Sequence, residues 1–333
     1  MRGMVREARR FIRLASHIQL MPVLESGEEQ LLVGGQAVIE GVMMRAPHSY
    51  CVTVRRPDGS VAAEQAPLQR PSEKHRIFKY PVFRGLGTLG QAMALGIKAL
   101  RFSADTAIEK DPAQKDGKAG QISNGMITAN VLFSVLFFLF LYKFVPLFLA
   151  TQLKDRFAAL DNYFLFNLID GSVRISIFLA FLGVISRTKD IRRVFEYHGA
   201  EHKVVFNFES GQPVSVPNAQ CFSTLHPRCG TSFLLVVMVI SMLIYALVPF
   251  QGFGLRLLSR VLLLPVIVGL SYEVIRFAAR RQGTLWASMV APGLWLQKVT
   301  TRPPSDEQVE ISILSLEGAM ALEKQQGGEL VIA

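Results

Sequence analysis

The segment EYHGAEHKVVF, residues 196–206, places His198, Glu201 and His202 within five positions. Residues four apart share one face of a helix, so the two imidazoles can reach a common metal ion. The order His-x-x-Glu-His is also that of the inverted zincins, in which the glutamate is the general base toward a water on the metal. The pattern therefore predicts metal-assisted hydrolysis, and the alternative is a pair of solvated histidines on a helix surface.

Two further candidate ligands follow in HPRCGTSF, where His226 and Cys229 have the two-residue gap that is common among zinc ligands. The segment 198–229 holds three of the six histidines and two of the three cysteines. Imidazole and thiolate groups suit zinc, or another divalent transition metal, better than magnesium or calcium. The sequence therefore predicts a zinc site, and the alternative is that His226 and Cys229 only pack at a turn.

The number of ligands decides what such a site can do. If His198, His202, His226 and Cys229 all bind, the zinc is four-coordinate and closed, which is typical of a structural site. If only three of them bind, one position stays open for water, and Glu201 is available as the base. The spacing alone leaves both arrangements open.

Charged residues inside the apolar runs are further candidates, because a charge within a bilayer is costly and usually paired or functional. Glu273 lies near the end of the fourth run and is a candidate for the distant glutamate ligand of the inverted zincins, or a partner of Arg276. Asp170 and Arg174 are four apart in the second run, which predicts an ion pair within one helix. The alternative for this pair is a polar pathway across the bilayer.

The sequence around these candidate site residues is that of a membrane protein. The chain is 50% hydrophobic with a mean hydropathy of +0.31. Its apolar residues gather in runs that approach the length of about 20 residues needed to cross a hydrocarbon core. The runs are residues 131–149, 164–185, 233–250 and 255–275.

The charges flanking these runs predict the orientation. Basic residues follow the second and fourth runs, in SRTKDIRR and RFAARR, whereas the other two loops have little or no net positive charge. The N-terminus, residues 186–232 and the C-terminus are therefore expected in the cytoplasm. The formal charge of +10 lies beside the apolar runs, which favours the lipid bilayer over nucleic acid as the charged partner.

The predicted fold is a polytopic α-helical membrane protein with four transmembrane helices, an interfacial helix, and a small α+β cytoplasmic part built from N- and C-terminal segments. The predicted order is a basic amphipathic or disordered N-terminus (1–30), a β-rich cytoplasmic unit (31–81), an interfacial or re-entrant helix (82–108), a linker (109–126), transmembrane helices 1–2 (127–185), a His/Cys-rich insertion (186–232), transmembrane helices 3–4 (233–277), a C-terminal segment with an amphipathic helix (278–324) and a tail (325–333).

Local signals support the β-rich unit and its cover. In CVTVRRPDGSVAAE, the Asp-Gly pair at 58–59 supplies the turn of a hairpin. Glu40 and Arg45 follow a glycine pair in GGQAVIEGVMMRAP, where they either line a site or form a bulge and a surface pair. Ser305, with Gln308 three residues later, predicts the N-cap of an amphipathic helix that covers the unit.

Five separated motifs, GGQAVIEGVMMRAP, YPVFRG, EYHGAEHK, HPRCGTSFL and APGLWLQKVTTRPP, together resemble the bacterial membrane family known as domain of unknown function 1385, the YqhQ-like proteins. The resemblance covers about residues 31–315. It implies a multi-pass protein of the bacterial inner membrane, from a family described as predicted metal-dependent enzymes. The candidate site that the resemblance supports consists of His198, Glu201, His202, His226 and Cys229. The resemblance supplies no substrate.

Two hypotheses follow. The first is a zinc-dependent hydrolase of the inner membrane that acts on a membrane-proximal or lipid-linked substrate at the cytoplasmic face. The second is a non-enzymatic membrane scaffold or transport component with a structural zinc, in which the Asp170–Arg174 region carries the function. Both leave a homo-oligomer open.

Overall fold

Residues 33–108, 124–226, 229–248, 252–279 and 291–325 are described by the computed structural model of the chain. The predicted N-terminal segment, most of the linker and the tail after residue 325 lie outside this part. The strands are β1 (Gly34–Val38), β2 (Gly41–Arg45), β3 (Ser49–Arg55) and β4 (Val61–Pro67). The α-helices of five or more residues in the described part are α1 (Phe83–Ile108), α2 (Asn124–Leu139), α3 (Val145–Lys154), α4 (Tyr163–Ile185), α5 (Lys189–Glu209), α6 (Val216–Gln220), α7 (Gly230–Leu247), α8 (Phe253–Leu262), α9 (Leu264–Ala279), α10 (Ala291–Thr300) and α11 (Asp306–Gln325).

The strands form an antiparallel sheet in the order β1-β2-β3-β4. The predicted hairpin is confirmed, since β3 pairs with β4 and Gly59 takes a φ of +86° in the turn. A second hairpin joins β1 to β2 through Ile39 and Glu40, and Glu40 takes a φ of +54° there. Sequence reasoning missed this hairpin because no glycine or asparagine marks its turn.

Helices cover both faces of the sheet, which explains why β3 is buried along nearly its whole length. On one face, Met44 packs with Val204 of α5 and Leu316 of α11. On the other face, Val52 packs with Leu95 of α1. The small α+β unit is therefore present, and the His/Cys-rich insertion belongs to it through α5.

Helix α11 begins with the predicted capping box. The Ser305 hydroxyl accepts the backbone N–H of Gln308 at 3.3 Å, and the Gln308 side chain accepts the N–H of Ser305 at 2.9 Å. Further along, the Ser315 hydroxyl accepts the N–H of Met44 at 3.0 Å and donates to the carbonyl of Cys51 at 2.7 Å. These bonds hold α11 on the sheet, as predicted for the C-terminal helix.

Helix α1 packs on protein along much of its length. Its later turns cover the sheet through Leu95 and Ala99. Its first turns contact α9 so closely that a Cβ on Gly85 would come within 2.7 Å of Tyr272. Helix α1 is not among the described helices that are long and apolar enough to cross a membrane. The structure thus shows a helix shared between the sheet and α9, and its interfacial or re-entrant position in the membrane stays a prediction.

Three helical segments in the described part of the chain are long and apolar enough to cross a membrane. They are Thr128–Lys154, in which a π-helical turn joins α2 to α3, Tyr163–Ile185 (α4) and Gly230–Leu247 (α7). Helices α8 and α9 are long and apolar enough to cross a membrane only when taken together, and the pair is bent by 48°. Pro265 in the first turn of α9 explains the break, because its ring removes a backbone donor and collides with the preceding turn. The described part of the chain therefore has three to four candidate spans.

Candidate metal centre

Helix α5 places His198 and His202 one turn apart on the same face, with their ring centroids 4.4 Å apart. On this face, His202 contacts the carbonyl of Thr224, and His198 contacts the carbonyl of Thr300 at the end of α10. His202 is only 2% exposed as a result. The alternative of two solvated histidines therefore does not fit the structure.

Cys229 completes a group of three donors. Ligand atoms of His198, His202 and Cys229 all lie within 4.8 Å of one another, and Nε2 of His198 is 3.2 Å from Sγ of Cys229. A tetrahedral zinc with bonds of about 2.0–2.3 Å holds its ligand atoms roughly 3.3–3.8 Å apart. Two imidazole nitrogens and one cysteine sulfur thus lie close to the separation that a single zinc ion requires.

Each imidazole also forms a hydrogen bond through its Nδ1 atom to a backbone carbonyl. Nδ1 of His198 lies 2.8 Å from the carbonyl of Thr300, and Nδ1 of His202 lies 2.5 Å from that of Thr224. A carbonyl can only accept, so Nδ1 carries the hydrogen and Nε2 presents its lone pair on the side of Cys229. Metal-binding histidines usually show this arrangement. Burial lowers the pKa of His202, which keeps the ring neutral and able to bind.

His226 lies beside this group without joining it. Its ring centroid is 5.6 Å from that of His202, and its Nε2 lies 3.4 Å from the carboxylate of Glu209. Gln297 of α10 fixes the backbone, accepting the N–H of His226 at 2.7 Å and donating to its carbonyl at 2.8 Å. Burial lowers the pKa of His226 to about 4. The four-ligand set is therefore not assembled, although His226 remains a neighbour of it.

Glu201 is the carboxylate beside the three donors. It is 6% exposed, and its Oε2 lies 3.5 Å from Nε2 of His202. Burial raises its pKa, an effect opposed by His198 and His226 and by the N–H of Gly35, which donates to the carboxylate. A Cβ on Gly35 would come within 2.6 Å of the Glu201 side chain. The glycine pair noted in the sequence therefore allows β1 to approach this carboxylate closely.

Gly199 allows a second close approach. A Cβ at this position would lie 2.0 Å from the carbonyl oxygen of Arg302, whose N–H donates to the carbonyl of Phe195 at 2.9 Å. Because the obstacle is backbone, we expect Gly199→Ala to destabilise the protein by about 1–3 kcal/mol. Thermal unfolding of the purified protein measures this loss.

The matched control for this prediction is Gly90→Ala. Gly90 is an exposed helical glycine of α1 with open space around its Cβ position. There the substitution is expected to stabilise the protein by about 0.4–1 kcal/mol. Equal effects of the two substitutions would contradict the close packing at Gly199.

The other candidate site residues of the sequence lie elsewhere. Glu273 accepts from the Arg84 side chain, with Nε at 2.6 Å, and from the N–H of Val82 at 3.3 Å. It thus anchors the start of α1, and the sequence could not indicate this partner because it lies 189 residues away. Glu40 pairs with Arg193 of α5 at 2.7 Å, so the Glu40–Arg45 surface pair is not formed.

Asp170 and Arg174 belong to a second buried polar group, between helices of the candidate membrane region. The predicted pair is present, with Arg174 Nη2 2.5 Å from Asp170 Oδ2, and Arg260 of α8 binds the other oxygen, also at 2.5 Å. Arg174 further donates to Ser241 of α7 at 2.8 Å. Lys143 of the first span donates to the Tyr245 hydroxyl at 3.0 Å. This group crosslinks four helical segments, whereas the sequence predicted a pair within one helix.

Comparison with known proteins agrees with the motifs of the sequence. The family model described as "Protein of unknown function (DUF1385)" matches residues 80–322, a range that includes all three donors. The chain belongs to the DUF1385 family. This confirms the resemblance, although the motif at 34–47 precedes the matched range.

A relative in Bacillus subtilis (strain 168), "Uncharacterized protein YqhQ", is 36% identical to this chain over 297 residues. The match covers 87% of this chain and 92% of that protein. No solved structure matches the chain. Neither the family description nor the name of this relative assigns a metal or a reaction, so metal-dependent chemistry rests on the geometry of this site alone.

Proposed function

We propose that this protein is a zinc-dependent hydrolase of the bacterial inner membrane, with His198, His202 and Cys229 as the metal ligands. The observation that carries this proposal is the convergence of their ligand atoms within 4.8 Å, next to the buried carboxylate of Glu201. A three-residue protein ligand set with a position left for water or substrate is typical of catalytic zinc.

The residues around the site would have different roles in the reaction. A bound zinc ion would supply a Lewis acid that polarises the substrate and activates water. Glu201 would accept the proton of the attacking water, and its burial favours this role because a raised pKa brings a carboxylate closer to neutral pH. Thr300 and Thr224 hold the two imidazoles by their carbonyls, so the ligands stay in place during the reaction.

The position of the site suggests its substrate class. Cys229 directly precedes α7, one of the candidate membrane spans, so the donors lie where the chain meets the apolar region. The flanking basic residues favour a cytoplasmic location for this end of the span. A membrane-proximal or lipid-linked compound, reached from the cytoplasmic face, therefore fits the site better than a freely soluble one.

One observation favours a second function. His202 and Glu201 are only 2% and 6% exposed, and the His226 ring centroid lies 5.6 Å from that of His202. If His226 turned toward the metal, the site would be a closed zinc centre that joins α5 to the chain before α7. The protein would then be a membrane scaffold or transport component with a structural zinc.

Glu201→Gln separates the two functions. The amide keeps the size of the side chain and an acceptor for the Gly35 N–H, but it cannot take a proton from water. We expect the variant to retain its zinc and its thermal stability and to lose activity by roughly 100-fold or more. The measurements are metal analysis, thermal unfolding, and hydrolysis of a panel of lipid-linked phosphoesters, esters and peptides in proteoliposomes.

Complementation of a strain that lacks the gene extends this test to the cell. The control is Glu209→Gln, a carboxylate of the same helix that faces His226 instead of the three donors. Full complementation by Glu201→Gln, with zinc retained, would favour the structural site and contradict the hydrolase.

A further inference from the structure

A basic cavity of about 590 Å³ lies apart from the metal centre, between the sheet, the start of α1 and the end of α9. Its lining carries five cationic side chains and, among the described residues that line it, no carboxylate. The cationic residues are Arg45, Arg70, Lys79, Arg84 and Arg276.

Within the described residues, only Arg84 and Arg70 of these five cations form a salt bridge, and Glu273, which binds Arg84, also attracts Arg276. Glu273 binds Arg84, and Arg70 has a loose contact of 3.9 Å with the exposed Glu73. Arg45 donates to the neutral amide of Gln91 at 2.6 Å. Within the described part of the chain, no carboxylate lies within 4 Å of the charged groups of Arg45, Lys79 or Arg276.

The pKa of Arg45 reflects this concentration of positive charge. Burial and the nearby Arg70 both lower its pKa, because a second positive charge and the loss of water disfavour the charged form. Such a cavity is stabilised by an anion with several acceptor oxygens. Guanidinium groups match a phosphate in particular, since their parallel N–H groups fit two of its oxygens.

The surroundings of the cavity indicate that this phosphate belongs to a lipid. Arg276 and Tyr272 lie one turn apart in α9, the second half of the bent candidate span, and tyrosine is enriched at membrane interfaces. Beside the cavity, Ile77, Tyr80 and Phe83 are 50%, 64% and 45% exposed. Exposed apolar side chains that alternate with cationic ones are typical of segments that lie on an anionic membrane surface.

We propose that this cavity binds the phosphate group of an anionic lipid headgroup, held by Arg45, Lys79 and Arg276. Ile77, Tyr80 and Phe83 then lie at the level of the acyl-chain boundary. The site is separate from the zinc ligands and does not require that the metal centre be catalytic.

Binding of three probes to the full-length protein in detergent tests this inference. The probes are dioctanoyl phosphatidylglycerol, dioctanoyl phosphatidylcholine and inorganic phosphate, each measured by calorimetric titration. We expect phosphatidylglycerol to bind roughly tenfold more tightly than the other two, and Arg45→Gln/Arg276→Gln to weaken it by roughly tenfold or more. The variant is first checked for unchanged zinc content and thermal unfolding.

The matched control is Lys189→Gln/Arg192→Gln, which removes the same charge from the exposed start of α5. Its affinity for phosphatidylglycerol should equal that of the wild type. Equal weakening in both double variants would show a general charge effect and overturn the proposal. Inorganic phosphate binding as tightly as the lipid would overturn the lipid as the source of the anion. If the double variant does not fold, the exposed Lys79→Gln replaces it, and unchanged lipid affinity in that variant contradicts the site.

Discussion

Asp170→Asn is expected to destabilise the protein by about 3–5 kcal/mol, because it removes the carboxylate that lies between two buried guanidinium groups. Asp170 is 1% exposed, and Arg174 and Arg260 are each 2% exposed. In this low-dielectric surrounding, a neutral amide leaves both cations without a counter-charge. Urea unfolding of the detergent-solubilised protein, followed by tryptophan fluorescence, measures the loss.

A surface ion pair is the control for this prediction. Asp161 pairs with Lys154 at 3.2 Å but is 73% exposed, so Asp161→Asn should change the stability by no more than about 1 kcal/mol. Asp170→Asn with unchanged stability would contradict the crosslinking role. If the substitution also abolished function in the cell, that result would favour the alternative of a polar pathway.

The second large effect is expected for His202→Ala. The substitution removes a metal donor and leaves a space at a site where the ring is 2% exposed and bonded to the carbonyl of Thr224. Loss of residues that only support a metal ligand typically lowers affinity by about 10–100-fold, so loss of the ligand itself should exceed that range. Metal analysis of protein purified without a polyhistidine tag measures the zinc retained.

His75→Ala is the control, because His75 is exposed and contacts Phe78 outside the metal centre. It should retain its full zinc content. A His202→Ala variant with as much zinc as the wild type would show that the ion, if present, is bound elsewhere.

Local patterns predicted the parts of the fold that depend on neighbouring residues. The turn at Gly59 and the capping box of Ser305 and Gln308 are each defined by a few adjacent positions, and both are found in the structure. His198 and His202 share a face for the same reason, since helical periodicity alone brings them together.

What the sequence could not predict depends on contacts between distant segments. Arg260 joins Asp170 from 90 residues away, and the i,i+4 pair with Arg174 already explained the aspartate locally. His226 has suitable chemistry and spacing for a fourth ligand, yet tertiary packing turns its ring toward Glu209. Gln297 holds this segment, and its place in α10 gave no indication in the sequence of a partner 71 residues away.

Zinc K-edge absorption spectroscopy of the wild-type protein, combined with its metal stoichiometry, tests the metal centre most directly. We expect about one zinc ion per chain, with one sulfur ligand at about 2.3 Å and the remaining nitrogen or oxygen ligands at about 2.0–2.2 Å. The sulfur contribution should disappear in Cys229→Ser. Protein without stoichiometric transition metal, or a coordination shell that contains no sulfur, would contradict the convergence of these three side chains on one ion.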